Sequence, residues 1–229
     1  MLYLYCLVSA GREPPPPSLR GVAGAPVRQV AVQTIAAWVS DLPSAIEAVT
    51  PELVRAHDGV VREAMRAETP LPARFGQSFP DESTLRRALE ERREGIARGL
   101  ERVRGAVEMT VRLLLDAAAP GPAERPAVGS GREYMAWLRE RQRAAEGARQ
   151  RAGFLQTRVA QAVGGLARGE ARSGASASGN SATISHLVAC GDVTRYRHLV
   201  HELSEREPEL RLMLSGPWAP YSFAELPGA

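Results

Sequence analysis

An aromatic tail fixed by prolines, near the C-terminus, limits how this chain can fold. The tail reads Gly216-Pro217-Trp218-Ala219-Pro220-Tyr221-Ser222-Phe223. Pro217 and Pro220 lack a backbone N–H and restrict the residues before them, so the tail fits neither a helix nor an ordinary strand. Burying each of its three aromatic side chains contributes roughly 1.5–3 kcal/mol. We therefore expect the tail to pack as a cap on the core of its own fold, or to bind a partner.

The first half of the sequence mixes strand and helix patterns. The apolar run from Leu2 to Val8 predicts a buried strand, and residues 27–39 predict further strands. Thr50 is a good cap for a helix that begins at Pro51 and extends to about residue 68. Pro70 and Pro72 end that helix and lead into a predicted strand at Arg74-Phe75-Gly76, and residues 81–104 have the period of a helix.

The second half alternates strand and helix. Strands are predicted at 106–115, 183–190 and 210–214, with helices at 131–166 and from Asp192, and a flexible stretch at 169–181. This order suits a ferredoxin-like sandwich with a long helical insertion. We therefore predict an α+β chain of two small domains. The N-terminal α+β domain covers 1–104, and the ferredoxin-like domain covers 105–229 with an extended helical arm at 131–168.

Composition excludes several classes of protein. The chain is 44% hydrophobic, which is enough for a buried core, and no apolar run approaches the roughly 20 residues that span a bilayer. All 29 basic residues are arginine, but the formal net charge is only +3, which is not the global profile of a nucleic-acid-binding protein. We expect a cytoplasmic protein that does not contact a membrane, with Cys6 and Cys190 as buried free thiols.

Candidate catalytic and metal-binding residues are sparse. His198 and His201 share a face of a predicted helix, but a structural zinc site needs two such local pairs. The adjacent His57 and Asp58 do not face each other on a helix, and there is no Gly-x-Ser-x-Gly nucleophile motif. The sequence Gly129-Ser130-Gly131 lacks the lysine of a phosphate-binding loop, so Ser130 is interpreted as a helix cap. We predict no enzymatic activity, metal or cofactor.

The predicted arm is locally basic. Between residues 131 and 170 there are eight arginines and four glutamates, a balance of +4. A solvated helix face is the simplest interpretation, and a docking surface for an acidic partner is the next. Nucleic acid is the least favoured, because few aromatic residues interleave with the arginines.

Five segments, in order, resemble the gas vesicle accessory proteins of the F/L type (the GvpF/GvpL family). They are Leu2-Tyr3-Leu4-Tyr5, Leu71-Pro72-Ala73-Arg74-Phe75-Gly76-Gln77-Ser78-Phe79, Glu108-Met109-Thr110-Val111-Arg112, Gly131-Arg132-Glu133-Tyr134 and the aromatic tail. The resemblance spans nearly the whole chain. It departs from the family pattern at Cys6, where a glycine is usual, and at Ala219, where a second proline is common.

The resemblance implies a non-enzymatic accessory or minor structural protein of gas vesicle assembly. Its implied partners are the small, hydrophobic shell protein (GvpA type) and other gas vesicle accessory proteins, and its implied location is the cytoplasm and the gas vesicle. The residues that it marks as partner-binding or structural are Pro72, Arg74, Phe75, Gly76, Glu108, Gly131, Arg132, Tyr134, Gly216, Pro217, Trp218, Pro220, Tyr221 and Phe223. Two interpretations of Arg74 stay open: it pairs at a sheet edge, or its segment and the tail form one surface. The alternative function is a basic helical module that binds nucleic acid or another polyanion.

Overall fold

The computed structural model describes residues 1–114, 131–174, 181–208 and 210–224. The chain divides into two compact units. The first unit combines Met1–Glu108 with the C-terminal segment Pro217–Ala229, and the second is Met109–Gly216. The sequence from Pro120 to Pro126 predicts a linker, and this segment and the predicted cap at Ser130 lie outside the described residues.

The first unit is built on an antiparallel sheet around a fully buried strand. Strand β1 (Leu2–Ser9) pairs on one side with β3 (Ile35–Asp41), which pairs in turn with β2 (Arg28–Val32). On its other side β1 pairs with two short strands, β4 (Leu71–Pro72) and β5 (Ser78–Phe79). The first seven residues of β1 are all buried, because both faces of this strand are covered. That explains a continuous apolar run with no alternation.

Three helices accompany this sheet. Helix α1 (Pro51–Ala64) begins as predicted, with the Thr50 hydroxyl accepting a hydrogen bond from the Leu53 N–H at 3.4 Å. The pattern at 81–104, expected to be one helix, is two: α2 (Glu82–Glu91) and α3 (Arg93–Val103). They separate at Arg92, whose backbone (φ −110°, ψ 12°) lies outside the helical region.

The second unit has the element order and strand order of a ferredoxin-like fold. Its elements are β6 (Ala106–Leu114), α4 (Gly131–Val163), β7 (Ala167–Ser173), β8 (Ser181–Ala189), α5 (Val193–Arg206) and β9 (Arg211–Trp218). The strands are ordered β7-β8-β6-β9. The first residues of β6 and the last of β9 are assigned to the first unit. The predicted α+β class with a ferredoxin-like second half is confirmed.

Strand β7 corrects a sequence prediction. The stretch 169–181 was expected to be flexible, but Gly169 to Ser173 belong to β7, which pairs antiparallel with β8. Residues 175–180 lie outside the described residues. Helix α4 ends at Val163, a few residues before the predicted end, and a short 3-10 turn at Gly164–Leu166 leads into β7.

The core of the second unit forms where one face of the sheet meets the two helices. Its buried members are Met109, Val111, Leu113, Ala152, Val159, Val163, Ala182, Ile184, Val188, Tyr196, Val200, Leu203 and Leu210. Cys6 is buried in the first unit as expected, but Cys190 is exposed because β8 ends at Ala189. Among the described residues, no helix is long and apolar enough to cross a bilayer.

Candidate partner-binding surface

The aromatic tail packs on the first unit. The expected division at residue 104 grouped the tail with the C-terminal half, whereas residues 217–224 lie with the N-terminal sheet and helices. The buried Glu108 carboxylate holds the tail by accepting hydrogen bonds from the Ser222 N–H (2.8 Å) and the Ser222 hydroxyl (2.7 Å). Ala219 and Phe223 are buried, so this part of the tail caps a core.

The family-like segment 71–79 is a turn held by a buried histidine. Its predicted strand at Arg74-Phe75-Gly76 is wrong: these residues form a turn between β4 and β5, and Gly76 has φ 88°, a conformation that favours glycine. The ring of His57, on α1, lies 3.1 Å (Nε2) from the Ala73 carbonyl oxygen and 2.8 Å (Nδ1) from the Tyr3 hydroxyl. The Gly76 N–H donates to the same Tyr3 hydroxyl at 3.1 Å.

These hydrogen bonds are satisfied only by a neutral histidine. The Ala73 carbonyl can only accept, so Nε2 carries the proton, and Nδ1 accepts the proton of the Tyr3 hydroxyl. Burial lowers the pKa of His57 to about 4, although the bond to Ala73 acts in the opposite direction. Burial also raises the pKa of Tyr3, which keeps its hydroxyl protonated. The turn at 73–76 is therefore fixed to β1 and α1.

His57 also brings the turn and the tail together. Its ring centroid lies 5.9 Å from that of Phe75 in the turn and 6.5 Å from that of Tyr221 in the tail. On the same helix, the Arg62 guanidinium lies over the Trp218 ring at 5.4 Å. Trp218 and Tyr221 each remain 37% exposed. The exposed and half-exposed side chains of Arg74, Phe75, Trp218 and Tyr221 are called the motif surface below.

The Arg74 side chain is exposed and forms no hydrogen bond or ion pair with the described part of the chain, whereas its backbone carbonyl accepts a hydrogen bond from the Gln77 N–H at 3.1 Å. The described residues therefore show no pairing of the Arg74 side chain at a sheet edge, which one of the two interpretations expected. Its neighbour Phe75 reaches the cluster around His57. This geometry favours the other interpretation, in which the segment and the tail share one surface.

The remaining residues marked by the resemblance lie elsewhere. Gly131 begins α4 in the second unit, Arg132 is exposed on that helix, and the ring of Tyr134 stacks on Trp137 at 5.9 Å. Gly216 is the last residue of the second unit and has φ 113°, which glycine tolerates. Of the remaining prolines, Pro72 and Pro220 are buried and Pro217 is exposed, all in the first unit.

No chemistry-bearing cluster emerges from the histidines and carboxylates that the structure describes. Within these residues there is no group of three or more histidine, cysteine or acidic side chains that could hold a metal ion. His198 and His201 pair instead with Glu202 (3.1 Å) and Glu205 (3.4 Å) on α5. His186 is buried in the second core, with Nδ1 2.7 Å from the Tyr196 hydroxyl.

Sequence reasoning missed the part that His57 plays. It considered this residue only as a catalytic partner of Asp58. A signal was present, because His57, Val60, Val61 and Ala64 recur at helical spacing and all are buried on the sheet-facing side of α1. A histidine on that face predicts a buried ring that needs polar partners.

The two sheets, the capping tail and the partly exposed aromatic side chains of the first unit define a two-unit α+β protein. The family model described as "Gas vesicle synthesis protein GvpL/GvpF" matches residues 1–225, so the chain belongs to this gas vesicle protein family. It is 33% identical to gas vesicle protein L of Streptomyces sp. (strain CB03234) over 185 residues, which cover 76% of this chain and 69% of the relative.

Two further comparisons extend over almost the full length. Gas vesicle protein F of the same Streptomyces strain is 27% identical over 237 residues, covering 97% of this chain and 99% of the relative. The crystal structure of GvpF from Anabaena sp. PCC7120 superposes with a TM-score of 0.77 at 18% identity, covering 98% of this chain and 96% of that one. The latter similarity concerns the fold.

Proposed function

We propose that this chain is a non-enzymatic accessory or minor structural protein of gas vesicle assembly that binds the small hydrophobic shell protein (GvpA type). Acting in the cytoplasm and at the growing vesicle with other accessory proteins, it keeps the shell protein soluble or starts shell growth. Membership of the GvpL/GvpF family supports the gas vesicle role. The observation that carries the binding role is the motif surface, where aromatic rings stay exposed on a rigid support.

The motif surface has the chemistry of a protein-binding site. Trp, Tyr and Arg are the residue types that contribute most to binding at protein interfaces, and all three occur here as Trp218, Tyr221 and Arg74. Covering the exposed part of two aromatic rings with an apolar partner is favourable. A hydrophobic shell subunit is such a partner before it assembles.

The support beneath the surface reduces the cost of binding. Pro217 and Pro220 limit the backbone of the tail, and Glu108 anchors it through Ser222. On the other side, the Tyr3–His57 hydrogen bond and the Gly76 N–H fix the turn. Side chains that are already ordered lose less conformational entropy when a partner binds.

The test is co-expression with the major shell protein, followed by purification at moderate salt through a tag on this chain. We expect soluble shell protein to co-purify with the wild-type chain. The double variant Trp218→Ala/Tyr221→Ala should lose the shell protein, whereas Met213→Ala, which removes an exposed apolar side chain of β9 outside the motif surface, should retain it. Thermal unfolding of each variant shows whether the fold is intact.

Two outcomes contradict the proposal at different levels. If the folded wild-type chain fails to co-purify with the shell protein, direct binding is wrong. If the double variant retains the shell protein as well as Met213→Ala does, binding occurs but the motif surface does not carry it.

A further inference from the structure

An ion pair on α1 lies beside the motif surface. The Arg62 guanidinium pairs with the Asp58 carboxylate, one helical turn earlier, with Nε 2.7 Å from Oδ2. The same guanidinium lies over the Trp218 ring, 5.4 Å from the ring centroid. Arg62 therefore links a carboxylate of α1 to a partly exposed aromatic ring of the tail, and all three residues belong to the first unit.

The ion pair also lies close to Tyr221. Burial is the largest cause of a raised pKa of the Tyr221 hydroxyl, the Asp58 carboxylate raises this pKa further, and the Arg62 guanidinium lowers it. Both charges must be near the hydroxyl to have these effects. His57, which precedes Asp58 on the helix, has its ring centroid 6.5 Å from that of Tyr221. The stretch of α1 from His57 to Arg62 therefore lies beside both partly exposed rings of the tail.

The exposure of the ion pair shows that it does little for stability. The Arg62 side chain is 60% exposed, and that of Asp58 is 30% exposed. Exposed ion pairs contribute little to the free energy of unfolding, because water screens the charges and both side chains lose conformational freedom. A cation over an aromatic ring at an exposed site adds a similarly small amount. The arrangement is better explained by what it restricts, since a guanidinium with two contacts limits the positions open to the ring beneath it.

The tail needs such a restraint on the Trp218 side chain. Pro217 and Pro220 limit the backbone on either side, but they leave the indole free to turn about its own side-chain bonds. Trp218 is more than a third exposed, so packing holds only part of its ring. A side chain that is already ordered loses less entropy when a partner binds. Arg62 supplies order at the atoms that the prolines do not reach.

We propose that Asp58 and Arg62 are positioning residues of the motif surface. Asp58 orients the Arg62 guanidinium, and the guanidinium holds the Trp218 ring in the orientation that a partner binds. The role in binding rests on the proposed shell-protein function, whereas the order of the ring is a property of this chain alone. The two claims can therefore be tested separately.

The decay of fluorescence anisotropy measures the order of the Trp218 ring directly. In the full chain, Trp38→Phe and Trp137→Phe leave Trp218 as the only one of the three tryptophans. Side-chain motion on the picosecond to nanosecond timescale appears as a fast phase, before the slower tumbling of the protein. Arg62→Met keeps the apolar stem and removes the charge, so it should increase the amplitude of this fast phase by about twofold or more.

Three further variants make the result specific. Arg62→Lys retains a cation for both Asp58 and Trp218 and should keep the fast phase small. Arg55→Met removes a matched arginine of α1, which pairs with Glu52 at 2.8 Å and contacts no aromatic ring among the described residues, and should have no effect. Asp58→Asn should give an intermediate amplitude, because the guanidinium stays but loses its charged partner. Thermal unfolding of each variant shows whether the fold is intact.

The same variants, with all three tryptophans in place, are then compared in the co-purification with the major shell protein. Arg62→Met should retain about fivefold less shell protein than the wild type, which is the loss expected when one side chain must be ordered on binding. Arg62→Lys and Arg55→Met should retain nearly as much shell protein as the wild type.

Equal fast phases in Arg62→Met and Arg55→Met would overturn the proposal, because the guanidinium would then not hold the ring. Equal recovery of the shell protein by these two variants would overturn the role in binding. A wild-type chain that fails to bind the shell protein would instead refute the proposed function, and the fluorescence result would still decide whether Arg62 positions Trp218.

Discussion

Protonation of His57 should weaken the first unit as the pH falls. The folded pKa of about 4 lies below the ordinary value of 6.5, so the unfolded chain takes up the proton first. The contribution of neutral His57 to the free energy of unfolding is fully present above about pH 6.5 and is lost progressively as the pH falls toward 4. Between about pH 7.5 and pH 5 the linkage relation gives a loss of about 2 kcal/mol in the free energy of unfolding.

Urea unfolding followed by tryptophan fluorescence measures this loss. Of the three tryptophans, Trp38 and Trp218 lie in the first unit, so the Trp137→Phe background makes fluorescence report on that unit alone. The Trp137→Phe protein is compared with the same protein that also carries His57→Gln. Glutamine offers one donor and one acceptor to the same neighbours but does not titrate. His186, whose pKa burial also lowers, is present in both proteins and cancels in the difference.

The expected result is a difference in pH dependence and not merely in stability. His57→Gln should be less stable at about pH 7.5, because its amide does not reproduce the imidazole geometry, but its stability should fall by about 2 kcal/mol less on going to pH 5. Equal slopes for the two proteins would refute the argument, because they would show that His57 is not held neutral by its burial between Tyr3 and Ala73.

Two further predictions concern the anchoring of the tail. Glu108→Gln should lower the free energy of unfolding of the first unit by about 1.5–3 kcal/mol in urea titrations, because a neutral amide cannot replace the carboxylate that accepts both Ser222 hydrogen bonds. An unchanged midpoint and slope would show that the hydrogen bonds between Glu108 and Ser222 contribute nothing to stability. Deleting residues 218–223 should lower the free energy of unfolding of the first unit, followed by Trp38 fluorescence, by about 3 kcal/mol or more, mainly because the buried Phe223 is lost. A melting temperature within about a degree of that of the intact chain would contradict this.

Local patterns predicted the central elements of the fold. The run from Leu2 to Val8 is apolar at nearly every position because β1 is covered on both faces. A continuous apolar run of this kind can be recognised from the sequence alone. The helix at Pro51 carries its start signal in Thr50 and Pro51 themselves. The ferredoxin-like order of the second half followed from alternating strand and helix patterns, even with one strand missing.

Strand β7 was missed because its pattern is weak. It alternates half-buried positions occupied by Ala167, Gly169 and Ala171 with the exposed charges of Arg168 and Glu170. Small inward residues supply little apolar signal, and charged outward residues are typical of an edge strand. The strand is stabilised by pairing with β8, a contact that no local window of sequence contains.

For the candidate site, too, the sequence identified local segments but did not predict the contacts between residues that are far apart in the chain. The resemblance identified the turn and the tail as important, but placing the tail required the bond between Glu108 and Ser222, which are 114 residues apart. Likewise, His57 joins two segments that are distant in sequence. Contacts of this kind depend on the assembled fold, and one sequence carries no direct record of them.

In the first unit, the residues that hold the backbone beneath the motif surface differ from the residues whose side chains are exposed on it. Glu108, Gly76 and Phe223 act on the position of the backbone, through an anchor, a left-handed turn and a buried ring. Trp218 and Tyr221 keep more than a third of their surface in water and so contribute less to the fold than a buried ring does. Substituting the first group should reduce stability and partner binding together, whereas substituting the second should reduce binding with little change in stability.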